Sequence, residues 1–206
     1  LLVGADGGNS AVRTAAGIGI HSWDYEHSAL IINVQMKSEQ QDITWQQFAP
    51  TGPMAFLPLS GKSASLVWYH SPAYIKRLLG LEDREFLIEL EAHFPSALQA
   101  VDYVVSKGAF PLKRQHAQAY AAEGVVLIGD AAHMIHPLAG QGVNIGLLDA
   151  AQLADTLRAA IGETISSADE YAFSTTDEIS SLQVLQQYEK KRLSLIHISE
   201  PTRPSQ

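Results

Sequence analysis

The sequence predicts a mixed α/β fold in which a Rossmann-like layer is interrupted by an inserted antiparallel sheet, and three observations carry this. First, Val125-Val126-Leu127-Ile128 gives four consecutive branched apolar residues, the pattern of a strand buried on both faces. The chain then breaks at Gly129-Asp130, runs through Pro137 and enters a small-residue helix at Gly140-Gln141-Gly142. Second, a similar apolar strand, tight turn and helix opens the chain at Leu1-Leu2-Val3-Gly4-Ala5-Asp6-Gly7. Third, short strand-like runs separated by Pro and Gly turn signals fill the space between them, as in an antiparallel meander.

Composition sets the limits. At 206 residues with 46% hydrophobic content, the chain holds one large or two small domains with a sizeable core. A net charge of −8 argues against a nucleic-acid ligand, whose affinity rests on Lys and Arg clusters. The absence of cysteine excludes disulfides, thiol catalysis and thiolate metal sites, and agrees with a reducing cytoplasm. No run approaches the roughly eighteen apolar residues of a membrane span. The chain begins without Met, already inside a strand, which suggests an internal fragment. Residues 193–206 resemble the translated read-through of a sequencing adapter, so the natural sequence is expected to end near Arg192.

Taken in order, residues 1–20 give the first strand and a helix that Ser10 can cap, with Arg13 in its first turn. Residues 21–118 form the inserted layer. Strands are expected over 27–35, 43–48, 54–59 and 63–70, with Pro58 demoting its strand to an edge or a bulge. Ile75, Leu78 and Leu79, then Phe86, Leu87 and Leu90, recur at helical spacing. A further extended segment, 103–112, returns towards the central strand. Residues 119–192 resume the first layer with the glycine-rich segment, a helix to about Ile161, a polar loop over 163–181 and a last helix from near Leu182.

The glycine-rich segment has a physical purpose. Gly140 and Gly142 lack a Cβ, so a phosphate or a flat ring can approach the main chain, and the helix that follows presents free N–H groups and a positive dipole end. Asp130, at the carboxyl end of its strand, is placed to accept hydrogen bonds from a ribose hydroxyl.

The run Gly-Asp-Ala-Ala-His-x-x-x-Pro-x-x-Gly-Gln-Gly-x-Asn, from Gly129 to Asn144, resembles the second FAD-binding motif of the group A flavoprotein aromatic hydroxylases, the p-hydroxybenzoate-hydroxylase-like enzymes. Gly4-Ala5-Asp6-Gly7, with Ser10 and Arg13, resembles that family's other motif. The resemblance implies an FAD/NAD(P)-binding Rossmann-like domain with an inserted antiparallel substrate domain, its N-terminal nucleotide-binding strand lying upstream of Leu1. It implies that Asp6, Gly7, Arg13, Gly129, Asp130, Pro137, Gly140, Gln141, Gly142 and Asn144 hold FAD. Segments of the inserted layer, including Trp45-Gln46-Gln47-Phe48, Ala64-Ser65-Leu66-Val67-Trp68-Tyr69 and Gly108-Ala109-Phe110-Pro111-Leu112, are closest to the ubiquinone-biosynthesis branch.

That branch implies an NAD(P)H- and FAD-dependent monooxygenase, in which O₂ adds to reduced flavin to give a C4a-hydroperoxide and a prenylated quinol is hydroxylated. The cofactor carries the chemistry while the protein orients the ring and keeps water away. Phe56, Leu57, Pro58, Trp68, Phe110 and Pro111 are the candidates for the apolar wall around the substrate ring. No general base is assignable, although His70, His116 and His136 have suitable chemistry. Other ubiquinone-biosynthesis proteins are conceivable partners, and a lipid substrate suggests a cytoplasmic protein peripheral to the membrane.

Two other readings remain. Asp130, His133 and His136 have a metal-like spacing, but no His-Glu-x-x-His pattern is present and the glycines after Pro137 would be purposeless, so no metal is expected. A flavin enzyme of prenyl-reductase type, which inserts no oxygen, shares the glycine-rich motif.

Overall fold

The computed structural model describes residues 1–39, 43–95, 101–135, 141–167 and 179–199, and the side chains of 163–167 and 195–199 lie outside that description. The fold is mixed α/β, and the chain separates into two compact units, 1–23 with 113–206, and 24–112.

The first unit is built on a three-stranded sheet. Strand β1 (Leu2–Gly4) pairs in parallel with β8 (Val125–Leu127), Val3 facing Val126, and β8 pairs antiparallel with β7 (Ala121–Ala122). Two sequence-distant segments with similar strand–turn–helix character thus lie side by side, and their turns emerge at the same end of the sheet. Helix α1 (Ala11–Ala15) follows β1. Strand β8 runs into a 3-10 turn (Gly129–Ala131) and the short β9 (His133–Met134), and α4 (Gln141–Ser167) and α5 (Leu182–Ser199) follow. Val126, Leu127, Ala132, Leu153, Leu185, Tyr120 and Tyr188 form the buried core of this unit. Residues 163–167, expected in a polar loop, continue α4, because Gly162 is a weak helix stop and no proline follows it. The rest of the expected loop up to residue 178 lies outside the described residues.

The second unit is an antiparallel sheet covered on one face by two helices. Its strands are β2 (Ile20–Met36), β3 (Trp45–Ala49), β4 (Gly52–Pro58), β5 (Ser63–His70) and β6 (Val101–Ala117), ordered β3-β4-β5-β2-β6, with β9 attached to the far end of β6. Both β2 and β6 continue past the limits of the unit and belong to the first unit at one end. Helices α2 (Pro72–Leu79) and α3 (Asp83–His93) supply Ile75, Leu78, Phe86 and Leu90 to a core completed by Leu30, Ile32, Val34, Leu66 and Trp68. Burial alternates along β2, β4 and β5, as a sheet with one covered face requires.

Strand β4 is not an edge strand, contrary to the expectation drawn from Pro58. It lies between β3 and β5, and Pro58 is tolerated because pairing with β3 has already ended at Trp45 opposite Phe56. Among the described residues no helix is long and apolar enough to cross a membrane.

Candidate functional site

The turn after β8 is held from several sides. Gly129 adopts φ +59, a left-handed conformation that favours glycine. A Cβ built on Gly146 of α4 would lie 3.4 Å from the Cα of Gly129, so helix and turn meet backbone to backbone. The Gly129 N–H donates to Oδ2 of the fully buried Asp149 at 2.8 Å. The same oxygen lies 2.6 Å from Nε2 of buried His133, and since a carboxylate only accepts, that nitrogen carries the proton. Arg192 on α5 donates from Nε to the other oxygen, Oδ1, at 2.5 Å, and from Nη2 to the Ile145 carbonyl at 3.3 Å. Beyond the turn, the Ala132 carbonyl accepts from the Ala117 N–H at 2.8 Å. Asp130 itself is exposed, and among the described residues its carboxylate meets no hydrogen-bond partner.

The first turn is equally ordered. Oδ2 of Asp6 accepts from the N–H groups of Ala11 (2.7 Å) and Val12 (3.2 Å), and the Ser10 hydroxyl accepts from the Arg13 N–H at 2.9 Å. These bonds satisfy the free donors of the short helix α1. The hydrogen bond from Ser10, followed by those from backbone N–H groups, holds the Asp6 carboxyl below the usual carboxylate range. Gly7 takes φ +84 with open space where a side chain would stand.

Arg13 is not a surface residue, and among the described residues it meets no carboxylate. It is buried, donating from Nη1 to the Ala131 carbonyl and from Nη2 to the Gly8 carbonyl, each at 2.8 Å. It therefore ties the first turn to the second. Through these two bonds Arg13 supports both turns.

Gln141, Gly142 and Asn144 lie in the first turn of α4. Gln141 and Asn144 are exposed, and a Cβ on Gly142 would meet nothing within 4 Å. Pro137 and Gly140 lie outside the described residues, as does His136. An exposed carboxylate at the carboxyl end of a strand, an open glycine at position 7 and an unobstructed glycine at the start of a long helix suit the hydroxyls and phosphates of a dinucleotide.

The six residues named for the substrate wall divide between the faces of the second sheet. Phe56 and Trp68 belong to the helix-covered core, where Phe56 stacks on Trp45 and Trp68 meets Phe94 edge-on at 5.3 Å. Pro58 shares their face by strand alternation. Leu57 points to the opposite face, together with Ser65, Val67 and Tyr69 of β5. Phe110 is 59% exposed and, by alternation with Leu112 and Ser106, lies on that opposite face; Pro111 is also exposed. Apolar character alone groups the six, whereas period-two alternation separates Leu57 from Phe56 and Pro58. Asn33, whose amide donates to the Ser106 hydroxyl at 3.0 Å, and Tyr69 share the face of Leu57 and were not singled out.

Of the histidines considered as bases, His70 stacks on Tyr74 at 3.9 Å, and burial, with His27, His93 and Arg77 nearby, pushes its pKa down. His116 Nδ1 lies 3.1 Å from the Tyr120 hydroxyl. Asp149 and Arg192 were also missed. Their signal was present in the sequence: an Asp within the otherwise apolar Gly146-Leu147-Leu148-Asp149-Ala150-Ala151 run, and an Arg four residues after a core Tyr188.

Comparison with known proteins identifies the family. Over 157 residues the chain is 53% identical to the 3-demethoxyubiquinol 3-hydroxylase of Escherichia coli (strain K12), covering 76% of this chain and 40% of that protein. It is 41% identical over 160 residues to the ubiquinone hydroxylase UbiL of Rhodospirillum rubrum, covering 78% of this chain and 37% of UbiL. It is 35% identical over 226 residues to the mitochondrial ubiquinone biosynthesis monooxygenase COQ6 of Xenopus tropicalis, covering 93% of this chain and 46% of COQ6. The chain thus spans less than half the length of these relatives. Among solved structures, PqsL, a probable FAD-dependent monooxygenase of Pseudomonas aeruginosa, superposes with a TM-score of 0.74 at 24% identity, over 96% of this chain and 52% of that one, a likeness of fold. Residues 1–176 match the FAD binding domain family, and the chain belongs to it.

Proposed function

We propose that the full-length protein is an FAD-dependent monooxygenase that hydroxylates a prenylated quinol or phenol in ubiquinone biosynthesis, with NAD(P)H as electron donor and O₂ as co-substrate. The observation that carries this reading is the exposed Asp130 carboxylate on a turn fixed by buried charges, in a chain 53% identical to a demethoxyubiquinol hydroxylase. When bound, FAD supplies the transfer of electrons from the nicotinamide to O₂.

The chain's own residues do the positioning. Asp130 accepts a ribose hydroxyl. Gly142, Gln141 and Asn144, with Pro137 and Gly140 ahead of them, give phosphate and ring access to main-chain amides. Gly7 leaves room beside the first turn, while Asp6 caps α1 and Arg13 keeps the two turns together. In this reading residues 1–20 and 119–192 form the FAD-binding domain and 21–118 the substrate layer, which the division of the chain near residues 23 and 112 supports. The substrate wall is assigned to the sheet face opposite α2 and α3, with Leu57 and Phe110, because Phe56 and Trp68 are consumed by the core. A prenylated substrate partitions into lipid, which favours work at the cytoplasmic surface of the membrane, alongside other enzymes of the same route.

The test follows NAD(P)H oxidation, O₂ uptake and product mass in the full-length protein given a demethoxyquinol. A product heavier by one oxygen atom is expected. Gain of hydrogen without oxygen would reject hydroxylation in favour of a prenyl-reductase chemistry.

A further inference from the structure

One buried carboxylate governs the turn that carries Asp130. Oδ2 of Asp149 accepts from Gly129, the residue before Asp130, and from His133, three residues after it. Both ends of the turn thus converge on a single oxygen, while Oδ1 is taken by Arg192. Arg192 belongs to a turn of α5 whose other side chains grip separate elements of the same unit. The Tyr188 hydroxyl donates to the Leu127 carbonyl at the end of β8 (3.1 Å), and Oε1 of Glu189 accepts from the Tyr120 N–H (2.8 Å). Arg192 also reaches the Ile145 carbonyl, so it fixes the start of α4 as well as the carboxylate.

The side chains of Arg192, Asp149 and His133 are 3%, 0% and 2% exposed, so these groups are satisfied by one another and not by bulk water. The chemistry is demanding: donors on three residues meet two acceptor oxygens, and no amide or single point charge reproduces that arrangement.

We propose that Arg192 and Asp149 are positioning residues that hold the Asp130 carboxylate in the pose from which it binds FAD, Arg192 acting through Asp149 on the Gly129–His133 turn. The proposal rests on the reading that Asp130 is an FAD ligand. It assigns a cofactor-directed role to Arg192, far along the chain from either glycine-rich motif. Arg192→Lys keeps the charge but loses the planar fork, so the turn is loosened without leaving a buried anion unpaired.

The experiment is a double-mutant cycle in the full-length protein, combining Arg192→Lys with Asp130→Ala. FAD affinity is titrated into apoprotein by flavin fluorescence, and apoprotein thermal stability is recorded beside it. Arg192→Lys is expected to weaken FAD binding roughly tenfold with Asp130 present and less than about twofold in the Asp130→Ala background. Tyr188→Phe, which loosens the same helix without touching the carboxylate, is expected to lower stability while leaving FAD affinity within about twofold. Should Arg192→Lys not fold, His133→Gln replaces it in the cycle. Equal weakening in both backgrounds, or none in either, would overturn the positioning role while leaving Asp130 as a ligand. Unchanged affinity in Asp130→Ala alone would overturn the premise, and the proposal with it.

Discussion

Arg13, which the resemblance implies holds FAD, is buried between the two turns, and its bonds to both yield a sharp prediction about how the two motifs cohere. Arg13→Met retains the aliphatic stem and removes the guanidinium. Two charge-assisted hydrogen bonds are lost, to Ala131 and to Gly8, each 2.8 Å long and at a 7% exposed residue. Such bonds are each worth about 1.5–3 kcal/mol. The variant also escapes the several-kcal/mol desolvation penalty of a buried cation, which offsets part of the loss. The net expectation is a destabilisation of ~2 kcal/mol, which for a domain of this size lowers the melting temperature by roughly 4–8 °C. The assay is thermal unfolding of the full-length protein stripped of flavin. A direct cofactor ligand would leave the apoprotein untouched and weaken only the holoprotein. A melting temperature within about one degree of the parent, with FAD binding lost, would therefore refute the assignment of Arg13 as a tie between the turns.

Three further outcomes follow from the geometry. Gly142→Val is expected to abolish flavin retention with little change in apoprotein melting, because the added side chain enters open space that the proposed function gives to the cofactor; normal flavin content in the purified variant would count against that proposal. Asp6→Asn should reduce stability in a pH-dependent way. The lowered carboxyl pKa means that the Asp6 contribution is complete above its unfolded value of about 4 and disappears as pH falls through the lower folded value. The melting-temperature gap between parent and variant should thus be full at neutral pH and close in acid; a gap that widens in acid contradicts the sign. Trp68→Ala should cost about 3–5 kcal/mol of stability as a core truncation, whereas Leu57→Ser and Phe110→Ser should spare the melting temperature and raise KM for the quinol. The opposite pattern would reassign the substrate face.

Much of this was legible before any coordinates. The branched apolar run at 125–128 and the Asp-Gly turn after Leu1-Leu2-Val3 have strong local signals, and β1 and β8 pair in parallel as two such units should. Strand β5 and helices α2 and α3 follow from alternation and from spacings of three and four. What sequence could not give was pairing at a distance. Pro58 suggests an edge because its missing N–H is a local fact, whereas the early end of β3 is a property of the neighbour. The Asp149–His133–Arg192 cluster joins residues 16 and 43 positions apart. Charged groups in apolar sequence flag such a cluster, yet only the packing of α5 beside α4 shows which partner each one meets. Arg13 was equally hidden, since its acceptors are backbone carbonyls that any residue type supplies.

Asp130 is the carboxylate proposed to receive the cofactor. Flavin content and FAD titration of full-length Asp130→Ala test this most directly, since the side chain is exposed and the substitution disturbs no packing. Loss of bound flavin with an unchanged apoprotein melting curve is predicted. A yellow protein with parental affinity and visible spectrum would contradict it.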